Sequence, residues 1–476
     1  MRSLFLAGIA LAALAPVAAP AADGAPQKPN IVFIISDDQG WKDVGFHGSD
    51  IRTPNIDALA ASGARLEQFY AQPMCTPTRA ALMTGRYPFR YGLQIAIPSA
   101  HTYGLPTDER LLPQALKEAG YETDLIGKWH LGHADRKYWP LERGFDHHYG
   151  PLLGEIDSFT HEQHGVLDWF RDGEPVKDSG YATTLLGDAA VKLIESHDPK
   201  IPLFLDLAFN APHAPYQAPE ADLDRYKNIA EPARRAYAAQ VTAMDAQIGR
   251  VVKALDDKGM RDDTLIVFQS DNGGTRNPMF SGEVDTSTIK NLPPDNGPYR
   301  EGKGTVYEGG TRVVAVVNWP GHIRPGTVVD QMIHEVDLYP TLLGLAGARA
   351  AGGKAPLDGL DVWGTISEGK PSPRTEIVYD ILPFRAGVRQ GDWKLVWRTP
   401  LPQAVELYDL ATDPSEKDNV AAANPDKVAR LQKRANELAA TMVPPLILQA
   451  EFKAMKQRLS QPPALPDDAL LDGAAE

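Results

Sequence analysis

The sequence predicts an α/β fold: a large domain built on a mostly parallel central sheet covered by helices on both faces, followed by a smaller C-terminal α+β domain with an antiparallel sheet. Three observations predict it. Four apolar, β-branched runs each end on a polar cluster, helical stretches separate them, and near residue 376 the texture changes to short strands joined by tight turns.

In chain order, Arg2, an apolar run from Leu4 and the small residues Ala19, Pro20 and Ala21 read as a cleaved secretory signal over residues 1–22. The run is broken by Pro16 and falls short of the roughly 20 apolar residues that a bilayer span needs. The large domain is expected over 27–370. IVFIISDD (31–38) is a buried strand closing on Asp37 and Asp38. TPNIDALAASG (53–63) is a helix with Asp57 in its first turn and Gly63 as its stop, and LLPQALKEAG (111–120) is a helix stopped by Gly120. CTPTRAALMTG (75–85) starts a helix with Pro77 in the first turn, where proline costs no hydrogen bond. Three more strands follow: YETDLIGKWH (121–130) closing on Lys128 and His130, PLFLDLAFNAPH (202–213) closing on His213, and DTLIVFQSDNGG (263–274) closing on Asp271 and Asn272. In a parallel sheet the carboxyl ends of the strands lie together, so all four polar clusters are expected on one edge.

ARAAGGKAP (348–356) and SEGKPSPR (367–374) read as loops or the seam between domains. The smaller domain is expected over 371–445: EIVYDI, RAGVRQGDWKLVWR and AVELYDLATDPSE as short strands, then DKVARLQKRANELAATM as an amphipathic helix. Residues 446–476 read as a peripheral tail.

A composition of 43% hydrophobic and 23% charged residues is that of a globular protein. The net charge of −14 argues against a nucleic-acid partner, whose phosphates it would repel. It leaves room for an anionic small substrate in a locally cationic pocket. No later segment spans a membrane, so the chain is expected to be secreted or periplasmic, without membrane insertion once the signal is removed. An exported chain with one cysteine forms no internal disulfide, which leaves Cys75 as buried filler, an intermolecular link, or a group used chemically.

Asp37, Asp38, Asp271 and Asn272 supply oxygen ligands without the histidine and thiolate pattern of zinc. Such hard donors suit Ca²⁺, or Mg²⁺ where the geometry is tight. DDQG and DNGG are also good turn sequences; their shared edge favours the metal. Lys128 and His130, two apart, point to the same side of an extended segment, and Lys303 lies in the glycine-rich stretch REGKGTVYEGGTR. With Arg79, these lysines beside a metal describe a pocket for a tetrahedral oxyanion. Cys75 at a helix N-terminus meets free N–H groups that favour an anion, and Arg79, four residues on, shares its face. In LLGEIDSFTHEQH (152–164), Asp157, His161 and His164 are either substrate contacts or plain polar loop residues.

Together, DDQGWKDVGFHGSDIRTPNIDALA, CTPTRAALMTGRY, LIGKWHLG, RGFDHHYG, SDNGG, EGGTR and LYDLATDPSE resemble blocks of the sulfatases of the alkaline phosphatase superfamily, most closely the arylsulfatase B (N-acetylgalactosamine-4-sulfatase) type. The resemblance covers nearly the whole mature chain. It implies an alkaline-phosphatase-like large domain and a formylglycine-dependent arylsulfatase that releases sulfate from a sulfated carbohydrate, with aryl sulfates as artificial substrates. It implies that a maturation enzyme reads CTPTR and oxidises Cys75 to Cα-formylglycine. One hydroxyl of the hydrated aldehyde then attacks sulfur, and the second ejects sulfate. Carried over by position, Asp37, Asp38, Asp271 and Asn272 hold Ca²⁺ with residue 75 beside it. Arg79 steadies the diol, and Lys128, Lys303 and His213 contact the substrate. His130 is a base for the elimination, and His213 protonates the departing ester oxygen. The animal enzyme's disulfides have no counterpart here. The alternatives are a phosphonate or phosphate ester hydrolase of the same superfamily and a non-catalytic binder of sulfated glycans.

Overall fold

The structure is a computed structural model that describes residues 28–280, 291–349, 356–399 and 404–460. The expected signal segment, most of the 348–356 stretch and the end of the tail lie outside the described residues. Among the described residues no helix is long and apolar enough to cross a membrane.

A ten-stranded sheet runs through the large domain. Its five middle strands, Thr264–Ser270, Asn30–Ser36, Leu203–Ala208, Glu122–Gly127 and His147–Gly150, are parallel in that spatial order. Strands at both flanks run antiparallel, as Ala315–Asn318 on Thr264–Ser270 and Phe170–Arg171 on His147–Gly150 show. The sheet is therefore mixed, with its parallel part in the centre. The four strands read from the sequence are four neighbours in that part.

Period-two alternation explains how both faces are covered. Ile31, Phe33 and Ile35 of the central strand pack with Leu82, Leu112 and Leu342 on one face. Val32 and Ile34 pack with Leu59, Leu186 and Ile248 on the other. The strands are in step as well as adjacent. Ser36 is level with Ser270, and Ile35 with Ala208, which in turn is level with Gly127. The residues that follow are thus delivered to one rim, tied by Asp271 N to Ser36 O (3.0 Å), Phe209 N to Ile35 O (2.9 Å) and Lys128 N to Ala208 O (2.8 Å).

The C-terminal strands Glu376–Leu382, Arg385–Gln390, Trp393–Arg398 and Ala404–Asp409 form an antiparallel meander, as the turn spacing predicts. The Pro425–Ala439 helix buries Leu431, Ala435 and Leu438 against it. The same core takes in Ala81, Tyr87 and Phe89 of the large domain. Residues Leu446–Ser460 form a further helix with no buried residue.

Between meander and large sheet, Lys394 Nζ lies 2.9 Å from Glu308 Oε1 and 2.8 Å from Glu416 Oε1, all three side chains fully buried. Burial opposes the ionisation of Glu308, yet Lys394, Arg312 and Arg389 hold its carboxyl down at about 2. Removing the shared cation would strand buried charge. Lys394→Met is therefore expected to lower stability by about 3–5 kcal/mol, seen as a lower urea midpoint. An unchanged midpoint would mean that the two carboxyls share a proton instead.

Candidate active site

The Cys75–Thr84 helix is buried along its whole length and stops at Gly85, whose φ of 65° is left-handed. A side chain at Gly85 would also meet the Tyr339 ring. The two threonines of CTPTR hold this helix over the sheet edge. Thr76 Oγ1 donates to His130 O (2.9 Å), and Thr78 Oγ1 donates to Asp271 O (2.5 Å) and Gln72 O (3.1 Å). The ties to His130 and Asp271 are not legible in sequence, because those partners lie 54 and 193 residues along the chain.

Four strand ends and one glycine-rich loop converge on the helix start. Cys75 Sγ is 3.5 Å from Asp37 Oδ1, and Lys128 Nζ is 2.5 Å from Asp37 Oδ2. Arg79 Nη2 donates to Asp271 Oδ2 (3.0 Å) and lies 3.9 Å from Asp37 Oδ2. Asp271 Oδ1 accepts from Asp38 N (3.1 Å). Lys303 Nζ donates to Asp38 Oδ2 (2.8 Å) and to His213 Nε2 (3.0 Å). Asn272 Nδ2 donates to Asp38 Oδ1 (2.7 Å). The ten residues expected to carry the chemistry or hold the metal thus meet in one place, and all are buried. Asp38, at φ 64°, occupies a left-handed conformation uncommon for a non-glycine residue and characteristic of functional sites.

Two expectations about local geometry change. Lys128 and His130 do not share a side by strand alternation, since the strand ends at Gly127 and His130 has φ 56°. A turn sends Lys128 to Asp37 and His130 to Ile97 instead. Nor does the helix start make Cys75 an anion. Burial, and then the Asp37 carboxylate, push its thiol well above the ordinary range, outweighing Lys128 and Lys303. As an unmodified thiol, Cys75 is a poor nucleophile at neutral pH.

The histidines are fixed in complementary forms, because a carbonyl oxygen can only accept. His130 Nε2 lies 3.0 Å from Ile97 O and so carries the hydrogen, leaving Nδ1 bare, buried and without a partner among the described residues. Burial, followed by the Lys128 charge, holds His130 well below the usual imidazole range, hence neutral. His213 Nδ1 donates to Ala214 O (2.6 Å), so its Nε2 accepts from Lys303. Gln240 Nε2 donates to the His213 and Pro215 carbonyls (3.3 and 3.2 Å), holding the loop that carries His213.

The donor chemistry fits a divalent cation. Asp37, Asp38, Cys75 and His213 offer ligand atoms within 4.8 Å of one another. Asn272 Oδ1 is buried and without a hydrogen-bond partner among the described residues, although its amide nitrogen is committed to Asp38 and Gly273. A buried acceptor beside a carboxylate awaits positive charge. Burial opposes ionisation of Asp37, but Lys128, with Arg79, holds its carboxyl below the ordinary range, in ligand form.

A pocket of about 320 Å³ opens over Cys75. His130, His213 and Lys303 line it, with Ile95, Ile97 and Pro98. Of the 152–164 loop, the lining residues are Gly154, Glu155 and Gln163. Asp157 and His161 serve the loop itself. Asp157 accepts from Phe159 N and Thr160 N (2.9 and 2.8 Å), and His161 stacks on Trp169 with centroids 4.5 Å apart. His164 is exposed and does not line the pocket.

Residues 29–348 match the family described as Sulfatase. The chain belongs to the sulfatase family. Residues 301–441 match the description N-sulphoglucosamine sulphohydrolase, C-terminal. Arylsulfatase J of Mus musculus is 39% identical over 80% of this chain and 63% of its own length. The chain thus spans under two thirds of that relative. N-acetylgalactosamine-6-sulfatase of Homo sapiens is 35% identical over 75% of this chain and 69% of its own. Among solved structures, that of Ps i-CgsB in complex with k-i-k-neocarrahexaose superposes with a TM-score of 0.78 at 34% identity, covering 88% of this chain and 94% of that one.

Proposed function

We propose that this sulfatase-family chain is an exported, Ca²⁺-dependent hydrolase of sulfate esters on a carbohydrate, and that Cys75 is its precursor of Cα-formylglycine. The observation that carries this reading is the setting of Cys75, a protonated, buried thiol placed between Asp37 and the cations Arg79, Lys128 and Lys303. Burial and Asp37 outweigh the two lysines, so the setting as a whole does not activate sulfur. Everything about it suits two oxygens and an oxyanion. Hydrated formylglycine would supply one hydroxyl as nucleophile and a second whose deprotonation releases sulfate. Burial of Cys75 at 2% exposure also means that the maturation enzyme must meet CTPTR before the helix docks.

Asp37, Asp38, Asp271 and Asn272 would hold the ion, which when bound polarises a sulfate oxygen and favours ionised hydroxyl. The chain's own groups do the rest. Lys128, held at Asp37, and Lys303, held at Asp38, would contact the sulfate oxygens. Their fixed positions stabilise developing charge without reorganisation. Neutral His130, with its bare Nδ1, is in the form a base requires. His213 acts as acid only with a proton on Nε2, the nitrogen that lies 3.0 Å from Lys303 Nζ and 3.5 Å from Asp38 Oδ2. Carbohydrate substrates are supported by the carrageenan-type oligosaccharide in the Ps i-CgsB complex and by the name of the human relative.

An alkoxide leaves poorly without protonation, whereas nitrophenolate leaves readily. His213→Ala is therefore expected to cost ~10²–10⁴-fold in kcat on a sugar sulfate and much less on nitrophenyl sulfate. Equal losses on both would remove His213 from the acid role. The reaction class is tested by comparing nitrophenyl sulfate with a phenylphosphonate ester and a phosphodiester. Dominant sulfate release is expected, and brisk phosphonate cleavage with negligible sulfate release would overturn the proposal.

A further inference from the structure

Two polar side chains on the pocket wall take no part in the chemistry above. Glu155 and Gln163 come from one loop and line the pocket that holds Cys75, His130, His213 and Lys303. Gln163 is 9% exposed, and its amide oxygen is buried with no hydrogen-bond partner among the described residues. Its backbone is pinned, paired with Val166 in a short hairpin whose start is tied by Asp157 N to Glu162 O (2.8 Å). An unpaired buried amide costs about 1–3 kcal/mol, so a glutamine held there by its hairpin is one whose partner arrives with the ligand.

Glu155 is half-buried at the same wall and forms no ion pair among the described residues. Among the described lining residues Lys303 is the sole lysine or arginine, and it is engaged at Asp38. The wall from Ile95 to Pro98 is apolar apart from its backbone. Among its described lining residues the pocket therefore offers cationic help for one sulfate, at the nucleophile, and Glu155 and Gln163 as hydrogen-bonding groups away from it. A carboxylate and an amide oxygen both accept from sugar hydroxyls. A second sulfate or a carboxylate on the same ring would bring like charge towards Glu155, with no second lysine or arginine among the described lining residues to receive it, and such repulsion discriminates as effectively as attraction.

Building on the sulfatase reading, we propose that Gln163 and Glu155 recognise free hydroxyls of the sugar ring that carries the scissile sulfate, and that Glu155 discriminates against rings bearing a second anionic group. The preferred substrate is then a singly sulfated, otherwise neutral ring.

The test measures competition against nitrophenyl sulfate hydrolysis by the matured full-length enzyme. The competitors are N-acetylgalactosamine 4-sulfate, the 6-sulfate and the 4,6-disulfate. The readout is the ratio of inhibition constants within each variant, which cancels any general loss of folded enzyme. In the unsubstituted enzyme the disulfate should bind at least ~10-fold more weakly than the better monosulfate. Glu155→Gln should bring that ratio close to one, and Glu155→Asp should restore it. Gln163→Met should weaken the better monosulfate ~5–10-fold. A disulfate that binds as well as the monosulfates, a ratio unmoved by Glu155→Gln, or monosulfate binding unmoved by Gln163→Met would overturn the proposal. Complete failure to cleave nitrophenyl sulfate is a different result. It would overturn the sulfatase reading and this inference with it.

Discussion

Cys75→Ala is expected to abolish multiple turnover of nitrophenyl sulfate, by at least ~10⁴-fold in kcat, while leaving the protein folded. The loss is large because the variant has no atom able to attack sulfur and no second oxygen to release the product. The fold survives because the thiol contributes little to packing or bonding. Its one hydrogen-bond contact is 3.5 Å to Asp37, and the helix is anchored by Thr76, Thr78 and Arg79. A thermal midpoint within a few degrees of the parent would document this. Cys75→Ser separates the two oxygens. A serine hydroxyl can take part in one transfer but has no partner hydroxyl to expel sulfate, so a single stoichiometric release of nitrophenol is expected, followed by silence. Sustained turnover by the serine variant would contradict the need for two oxygens.

Removal of divalent ions is expected to have the second largest effect, ~10³-fold or more on kcat/KM, several kcal/mol of transition-state stabilisation. Ca²⁺ should restore activity better than Mg²⁺, since the oxygen donors come from four side chains on two loops rather than a rigid octahedral cage. The stripped protein should remain folded. Asp37, Asp38 and Asp271 are each met by a cation, through Lys128, Lys303 and Arg79 respectively, so the site is not left with uncompensated buried charge. Rebinding should then raise the thermal midpoint with added Ca²⁺, as any ligand selective for the native state does. Full activity after exhaustive chelation would remove the metal from the account, and unfolding on chelation would show that the cations do not balance the carboxylates.

Much of this site was legible because its residues sit at the ends of strands whose apolar runs are unmistakable. Asp37, Lys128, His213 and Asp271 each follow a run that only a buried strand explains, and parallel pairing places their ends together. The mixed character of the sheet was less legible. Its antiparallel flanking strands, such as Phe170–Arg171 and Ala315–Asn318, are too short to show a period. The distances that matter chemically were not legible at all. That Thr78 holds Asp271, that Ile97 sets the tautomer of His130, or that Gln163 lines the pocket while His161 stacks away on Trp169 depends on contacts across the chain. The reading of Cys75 shows the same limit. The helix start argued for an anion, and only burial beside Asp37 reveals that the thiol stays protonated.

That protonated thiol makes the chemical state of residue 75 the point on which the account turns. Mass analysis of the tryptic peptide spanning residues 66–79, taken from purified and active protein, measures it directly. The account predicts that residue 75 has lost its sulfur and carries the mass of the aldehyde or its hydrate, in proportion to specific activity. An unmodified cysteine in fully active protein would contradict it.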